Sequence, residues 1–337
     1  MSKFTVVIAG FGWWGRHFAE RLKDHPAIRV AGVVEPVEAN HEAIRALGLT
    51  PMRALSEALG REDVEGVILA TPNTLHEEQV IACAEAGKHV YCEKPLTLTA
   101  ASARRAAEAC QAAGVQLAIG HEMRFDPAMQ ALKAALDAGE LGTIMHAEAA
   151  FSHDKLIHVP KGDWRTSKRH APAAAMTAMG IHVSDLLISF LGPVETVQAM
   201  TASRSLGWET GDVVTVQLGF EAGMTATFSA VLHTPHFMRM HVFGTERWDQ
   251  ILHHSHPDAP GGAIDYQIAR SGAPVEHRTL HSIDGVLANL EAFARAARGE
   301  APYPIPVAQI VHNIELLEAI ARSAEDRRTV SIAELRG

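Results

Sequence analysis

Short apolar runs alternate with helix-period segments over residues 4–120. Phe4–Ala9 and Ile28–Val34 read as strands rich in β-branched residues, and Gly66–Ala70 is the continuous apolar run that a parallel strand covered on both faces requires. Lys88–Cys92 and Val115–Gly120 complete the series. Helices are predicted from about Phe18 to Leu22 and at Ala39–Leu47, Leu55–Leu59, His76–Ala86 and Ala100–Ala113. Alternation of this kind predicts an α/β fold, a doubly wound parallel sheet.

From about residue 121 the texture changes. Helices are expected at Met129–Ala138 and Met179–Leu191, with a strand at Ile144–Phe151. Period-two strands then dominate: Val194–Ala202, Val213–Phe220, Met224–Val231 and Arg239–Phe243, with a turn at Glu221–Gly223. Amphipathic helices at Ile283–Gly299 and Val307–Arg322 close the chain. The expected arrangement is a C-terminal α+β domain over 122–337, with a large open, mostly antiparallel sheet covered on one face by helices. The N-terminal domain is 1–121. Met200, Val216, Leu218, Phe228 and Val231 are expected on an uncovered apolar face, which predicts a homodimer or homotetramer packed sheet against sheet.

Composition narrows the class. The chain has 337 residues, 47% hydrophobic and 20% charged, enough for two cored domains. A net charge of −9 with interspersed signs argues against nucleic-acid or anionic-membrane partners, which need a basic face. Met1-Ser2-Lys3 leads straight into a strand without a signal peptide, and no apolar stretch approaches a membrane span. Cys83, Cys92 and Cys110 are odd in number and lack metal-site spacing, as expected of buried thiols in a cytoplasmic protein. His253-His254-Ser255-His256 falls in a Pro/Gly-rich loop with no carboxylate or thiol at ligand spacing, so no metal is expected.

The chemistry begins at Gly10-Phe11-Gly12-Trp13-Trp14-Gly15, a G-x-G-x-x-G between the first strand and the first helix. The first glycine makes the turn, the second admits a pyrophosphate to the backbone, and the third lets helix and strand pack closely. The N–H groups of the helix start then face the phosphates. Glu35 ends the second strand, where a carboxylate accepts hydrogen bonds from an adenosine ribose and repels a 2′-phosphate. Pro36 and Val37 follow with no cation, which favours NAD over NADP. Ligands bind such sheets beyond the carboxyl ends of the strands. The candidates there are Thr71-Pro72-Asn73 with His76, Glu93-Lys94-Pro95, and His121 and Arg124.

Gly10–Gly15, Glu93-Lys94-Pro95, Trp164-Arg165 and Gly180-Ile181-His182-x-x-Asp185 occur in that order over nearly the whole chain. Together they resemble the glucose–fructose oxidoreductase / inositol dehydrogenase / rhizopine-catabolism (Gfo/Idh/MocA) family. The resemblance implies an N-terminal Rossmann domain and a pyridine-nucleotide dehydrogenase acting on a secondary alcohol or ketone of a sugar, cyclitol or related polyol. It implies Lys94 as acid/base, through a Lys94-Pro95 bond that is a candidate for cis geometry. It implies His182 as a partner in the proton relay or a holder of the substrate hydroxyl, and Asp185 as orienting the substrate or His182. His121 and Arg124 are expected to reach the nicotinamide or the substrate. Trp164 is expected to wall the pocket and Arg165 to bind a substrate hydroxyl or carboxylate. One position departs from the pattern: many family members carry an Asp four residues before the His, and here that position is Ala178. That departure leaves room for a redox-cycling NAD-dependent glycosidase or lyase; a third reading, a non-catalytic NAD sensor, is opposed by the presence of both Lys94 and His182.

Overall fold

The computed structural model describes residues 2–173, 175–256 and 259–336. Its first strands and helices are β1 (Phe4–Ala9), α1 (Trp13–Arg21), β2 (Ile28–Val34), α2 (His41–Ala46), β3 (Pro51–Met52), α3 (Leu55–Leu59) and β4 (Gly66–Leu69). They continue with α4 (His76–Glu85), β5 (His89–Cys92), α5 (Ala100–Ala113), β6 (Leu117–Ile119), α6 (Pro127–Asp137) and β7 (Ile144–Ser152). A π turn, Met176–Gly180, runs into α7 (Ile181–Leu191). Then come β8 (Val194–Ala202), β9 (Val213–Phe220), β10 (Thr225–Val231), β11 (Phe237–Gly244), β12 (Arg247–His253), β13 (Ala263–Arg270) and β14 (Glu276–His281). Helices α8 (Gly285–Ala297) and α9 (Val307–Asp326) and the short β15 (Val330–Ser331) follow. No described helix is long and apolar enough to cross a membrane.

Two compact units emerge. The first runs through Thr97 and takes in Ala101–Gly120 and Val286–Val311; the second holds Leu98–Ala100, His121–Gly285 and the chain from His312 onward. The main span of the second unit thus begins at His121, while residues 286–311 return to the first.

In the first unit six parallel strands are ordered β3-β2-β1-β4-β5-β6. The order reverses between β1 and β4, so a crevice opens at the carboxyl ends of those two strands. The return of 286–311 has a backbone reason. β6 is an edge strand with polar groups to satisfy. Tyr303 Oη accepts from the Ile119 N–H at 3.2 Å, and Asn289 Nδ2 donates to the Ile119 carbonyl at 2.8 Å. Phe293 adds apolar weight, packing edge-on against Phe4 at 5.5 Å within the core around Ile8, Phe18 and Tyr91.

The second unit is a nine-stranded sheet, β14-β13-β12-β11-β7-β10-β9-β8-β15, antiparallel except for β7 beside β10. Two sequence expectations need correction. Val216, Leu218 and Phe228 are buried, not exposed: a Cβ at Gly180 of the π turn would lie 3.3 Å from the Phe228 ring, so the turn packs on that face. The opposite face is largely polar, with Glu148, Gln198, Gln217 and Thr227 beside the exposed Met200 and Phe237. The strands β12, β13 and β14 also went unforeseen. In β12 the alternation is disguised by inward charges, Arg247 pairing with Asp249 at 2.8 Å and Tyr266 Oη donating to Asp249 at 2.6 Å, whereas β13 alternates plainly, burying Ile264, Tyr266 and Ile268, and β14 has no buried face. His253 is accordingly the buried last residue of β12, not part of a loop. Asp126 shows the local logic of helix starts. Its carboxylate accepts the Ala128 and Met129 N–H groups, and Pro127 occupies the first turn of α6.

Candidate active site

The first unit builds a nucleotide cradle from backbone. Gly10 has φ +93°, and a Cβ there would lie 2.6 Å from the Ala70 carbonyl oxygen. A Cβ on Gly15 would collide with the Gly10 carbonyl. Gly12, the N-cap of α1, faces open space. Two glycines therefore close the turn and the third leaves it accessible. Glu35 is buried at its edge. Its Oε2 accepts from the Phe11 N–H at 3.2 Å and its Oε1 from the Val37 N–H at 2.9 Å, while His41 holds its carbonyl at 2.7 Å. Arg16, not singled out from sequence, donates to the Phe11 carbonyl at 3.2 Å and lies over the Phe11 ring. Trp13 is 53% exposed and stacks on His17 at 4.7 Å. Glycine cradle, exposed helix start and a carboxylate at the end of β2 fit a dinucleotide.

Beyond β4, Thr71 Oγ1 donates to Gln79 at 2.6 Å, and Asn73 is buried. His76 differs from expectation. It is fully buried, with Nδ1 2.8 Å from the Pro95 carbonyl and Nε2 3.0 Å from the Thr71 carbonyl. It is a brace between two loops, with no surface to offer a cofactor, and burial lowers its basicity. Beyond β5, a cis bond joins Lys94 to Pro95. Glu93 is buried against Gly120, where a Cβ would lie 2.7 Å from its Oε1, and its Oε2 accepts the Lys94 N–H at 3.1 Å. Burial pushes the Glu93 carboxyl up to about 7, against the opposing pull of the Lys94 charge and N–H.

The second unit gathers His121, Glu122, Arg124, His182 and Asp185. A one-turn 3-10 helix, Glu122–Phe125, carries the first group beside α7. Arg124 and Asp185 bind one another: Nε donates to Oδ2 at 2.6 Å, and one guanidinium nitrogen donates to Oδ1 at 2.8 Å and to the Asp185 carbonyl at 3.0 Å. Asp185 is 1% exposed. Its carboxylate is committed to holding Arg124, which displaces the expectation that it orients substrate. The acid beside His182 is instead Glu122, with Oε2 3.7 Å from Nδ1. No motif marks Glu122; its place in the turn after β6 was the only signal. His121 and His182 meet edge-on with ring centroids 5.7 Å apart. Phe151 and His153, His236 and His256 continue this aromatic wall, with His153 and His256 5.1 Å apart. Among the described residues no three such side chains have the geometry to hold a metal. Arg165 lies 4.3 Å over Trp164 and pairs with Asp163 at 3.2 Å, so this pair is braced from within its own loop.

A sheet of this order with a glycine cradle at its switch point defines a Rossmann-type dinucleotide-binding protein, here joined to a second, mixed-sheet unit. Residues 4–121 match the oxidoreductase family with an NAD-binding Rossmann fold, and residues 129–248 match the GFO/IDH/MocA C-terminal domain. The chain belongs to the GFO/IDH/MocA family of NAD-binding oxidoreductases. It is 26% identical to the rhizopine catabolism protein MocA of Rhizobium meliloti, over 95% of this chain and 94% of that protein. It is 42% identical to inositol 2-dehydrogenase of Mycolicibacterium smegmatis, over 42% of each. The structure of GenD2 from gentamicin A biosynthesis, in complex with NAD, superposes with a TM-score of 0.84 at 26% identity, covering 98% of this chain and 97% of that one.

The buried Glu93 carboxyl has a measurable consequence. It holds its proton to about pH 7 in the folded chain, against an ordinary value of 4.5, so its contribution to stability declines as pH rises through that window. Glu93→Gln, which keeps an oxygen for the Lys94 N–H, is expected to compare better with the native chain at pH 8 than at pH 5 in urea unfolding. An equal difference at both pH values contradicts this account of Glu93.

Proposed function

We propose that this chain is an NAD-dependent dehydrogenase that oxidises a secondary alcohol of a sugar, cyclitol or related polyol. The observation that carries the reading is Lys94, directly after the buried Glu93 at the carboxyl end of β5, in a chain whose nucleotide cradle is intact. Bound NAD supplies the hydride acceptor. Lys94 takes the hydroxyl proton, and in reduction returns it to the carbonyl oxygen. His182 is the second acid/base, with the Glu122 carboxylate 3.7 Å from its Nδ1. On this reading Glu122 stands in for the carboxylate that is absent at Ala178. The inositol 2-dehydrogenase among the relatives supports the substrate class.

The test is reduced-cofactor absorbance with NAD and a panel of polyols, cyclitols and sugars, run beside Lys94→Ala. The native chain is expected to accumulate NADH on at least one polyol. Lys94→Ala is expected to lose on the order of 10²–10⁴ in kcat while NAD still binds. Full activity in the variant overturns the role of Lys94. NAD binding without net NADH on any substrate overturns the dehydrogenase reading in favour of a redox-cycling lyase or glycosidase, or of a sensor.

We also propose that the outer face of the nine-stranded sheet, where Met200 is 70% and Phe237 44% exposed, seats a second copy of the chain. Light scattering is expected to give the mass of two or four chains. A one-chain mass contradicts the pairing.

A further inference from the structure

His121 and Asn313, on α9, are both buried in the second unit, with Asn313 wholly inaccessible. The Asn313 amide has three partners. Its Oδ1 accepts from Ser184 Oγ at 2.6 Å, its Nδ2 donates to the Ile181 carbonyl at 3.1 Å, and Nδ2 also lies 3.1 Å from His121 Nε2. A carbonyl oxygen can only accept, so the Ile181 contact fixes which end of the amide is nitrogen. That nitrogen has only hydrogens to present. His121 Nε2 must therefore offer a lone pair, and the ring proton resides on Nδ1.

The surrounding charges bear on this assignment. Asp185 Oδ1 is 3.8 Å from His121 Nε2 and would draw a proton there. Its two oxygens are engaged by the Arg124 guanidinium at 2.6 and 2.8 Å, which balances its charge, and 3.8 Å exceeds hydrogen-bond reach. Glu122, the next residue in the chain, lies 3.7 Å from His182 Nδ1. The hydrogen-bonding partner of Nε2 is thus the Asn313 amide, which cannot accept.

We propose that Asn313 is a positioning residue that holds His121 as the neutral Nδ1–H tautomer, so that His121 meets cofactor or substrate as a donor from Nδ1 alone. The role toward substrate rests on the dehydrogenase reading; the tautomer does not.

The test is long-range proton–nitrogen NMR of the full chain labelled with ¹⁵N-histidine, the His121 signals being those lost in His121→Gln. The native protein is expected to show a protonated Nδ1 and an unprotonated Nε2 for His121 at pH 7. Asn313→Asp, whose carboxylate accepts from the ring, is expected to move the proton to Nε2. It is also expected to lower kcat/KM on the order of 10²-fold with NAD affinity unchanged. A native Nε2–H tautomer, an averaged pair of tautomers or an imidazolium at pH 7 overturns the proposal. So does a variant, Asn313→Asp or Asn313→Ala, that loses activity with the Nδ1–H tautomer unmoved, because that marks a merely structural amide. The native spectrum decides the tautomer even if both variants fail to fold. An Nδ1–H tautomer in a chain that oxidises no polyol rejects the dehydrogenase reading and leaves the tautomer standing.

Discussion

A methyl group at Gly15 would collide with the Gly10 carbonyl, and one at Gly10 would meet the carbonyl of Ala70. These backbone approaches bring α1 directly off the end of β1 and set both against the loop after β4. The unpaired N–H groups at the start of α1 then open at Gly12, where no side chain intervenes. The turn also delivers the Phe11 N–H to Glu35, so the carboxylate that ends β2 is held by the glycine loop itself. Any residue larger than glycine at position 15 separates helix from strand and disperses these groups.

The second unit solves a different problem, which is to hold two imidazoles in fixed orientation inside a protein. It does so by committing its charges to one another. Arg124 and Asp185 form a two-pronged pair, which tethers the turn carrying His121 and Glu122 to the helix carrying His182. Removing either partner would leave a buried charge uncompensated, a cost on the order of 3–5 kcal/mol. The π turn before α7 adds an irregularity at the same place; such turns recur at functional sites because they re-aim the residues that follow.

Much of this was legible in the sequence. Strand–helix alternation located all the long strands of the first unit, and glycine spacing after the first strand located the cradle. Glu35 was marked by its position at the end of the second strand, and the cis bond at Lys94-Pro95 by the family resemblance. What escaped depended on partners distant in the chain. Nothing local distinguishes Asp185 as the partner of Arg124, or Glu122 as the acid beside His182, because side-chain pairing across 61 residues has no sequence signature. His76 resembles a cofactor contact by position but is turned inward by two carbonyls. β12 was hidden because an internal Arg247–Asp249 pair replaces the apolar residues that normally reveal a strand's buried face, and β14 because it buries no face at all; the alternation of Ile264, Tyr266 and Ile268 in β13 was legible. The return of residues 286–311 to the first unit follows from the needs of an edge strand, which the sequence of that strand does not advertise.

On the proposed reading a hydride moves between a carbon of the substrate and the nicotinamide. The most direct measurement follows a label: a polyol that turns over is supplied with deuterium on the carbon to be oxidised, and the reduced cofactor is analysed by mass and proton NMR. One deuterium is expected at the nicotinamide C4 of each NADH formed. Reduced cofactor without the label, or oxidised product with the deuterium lost to water, contradicts it.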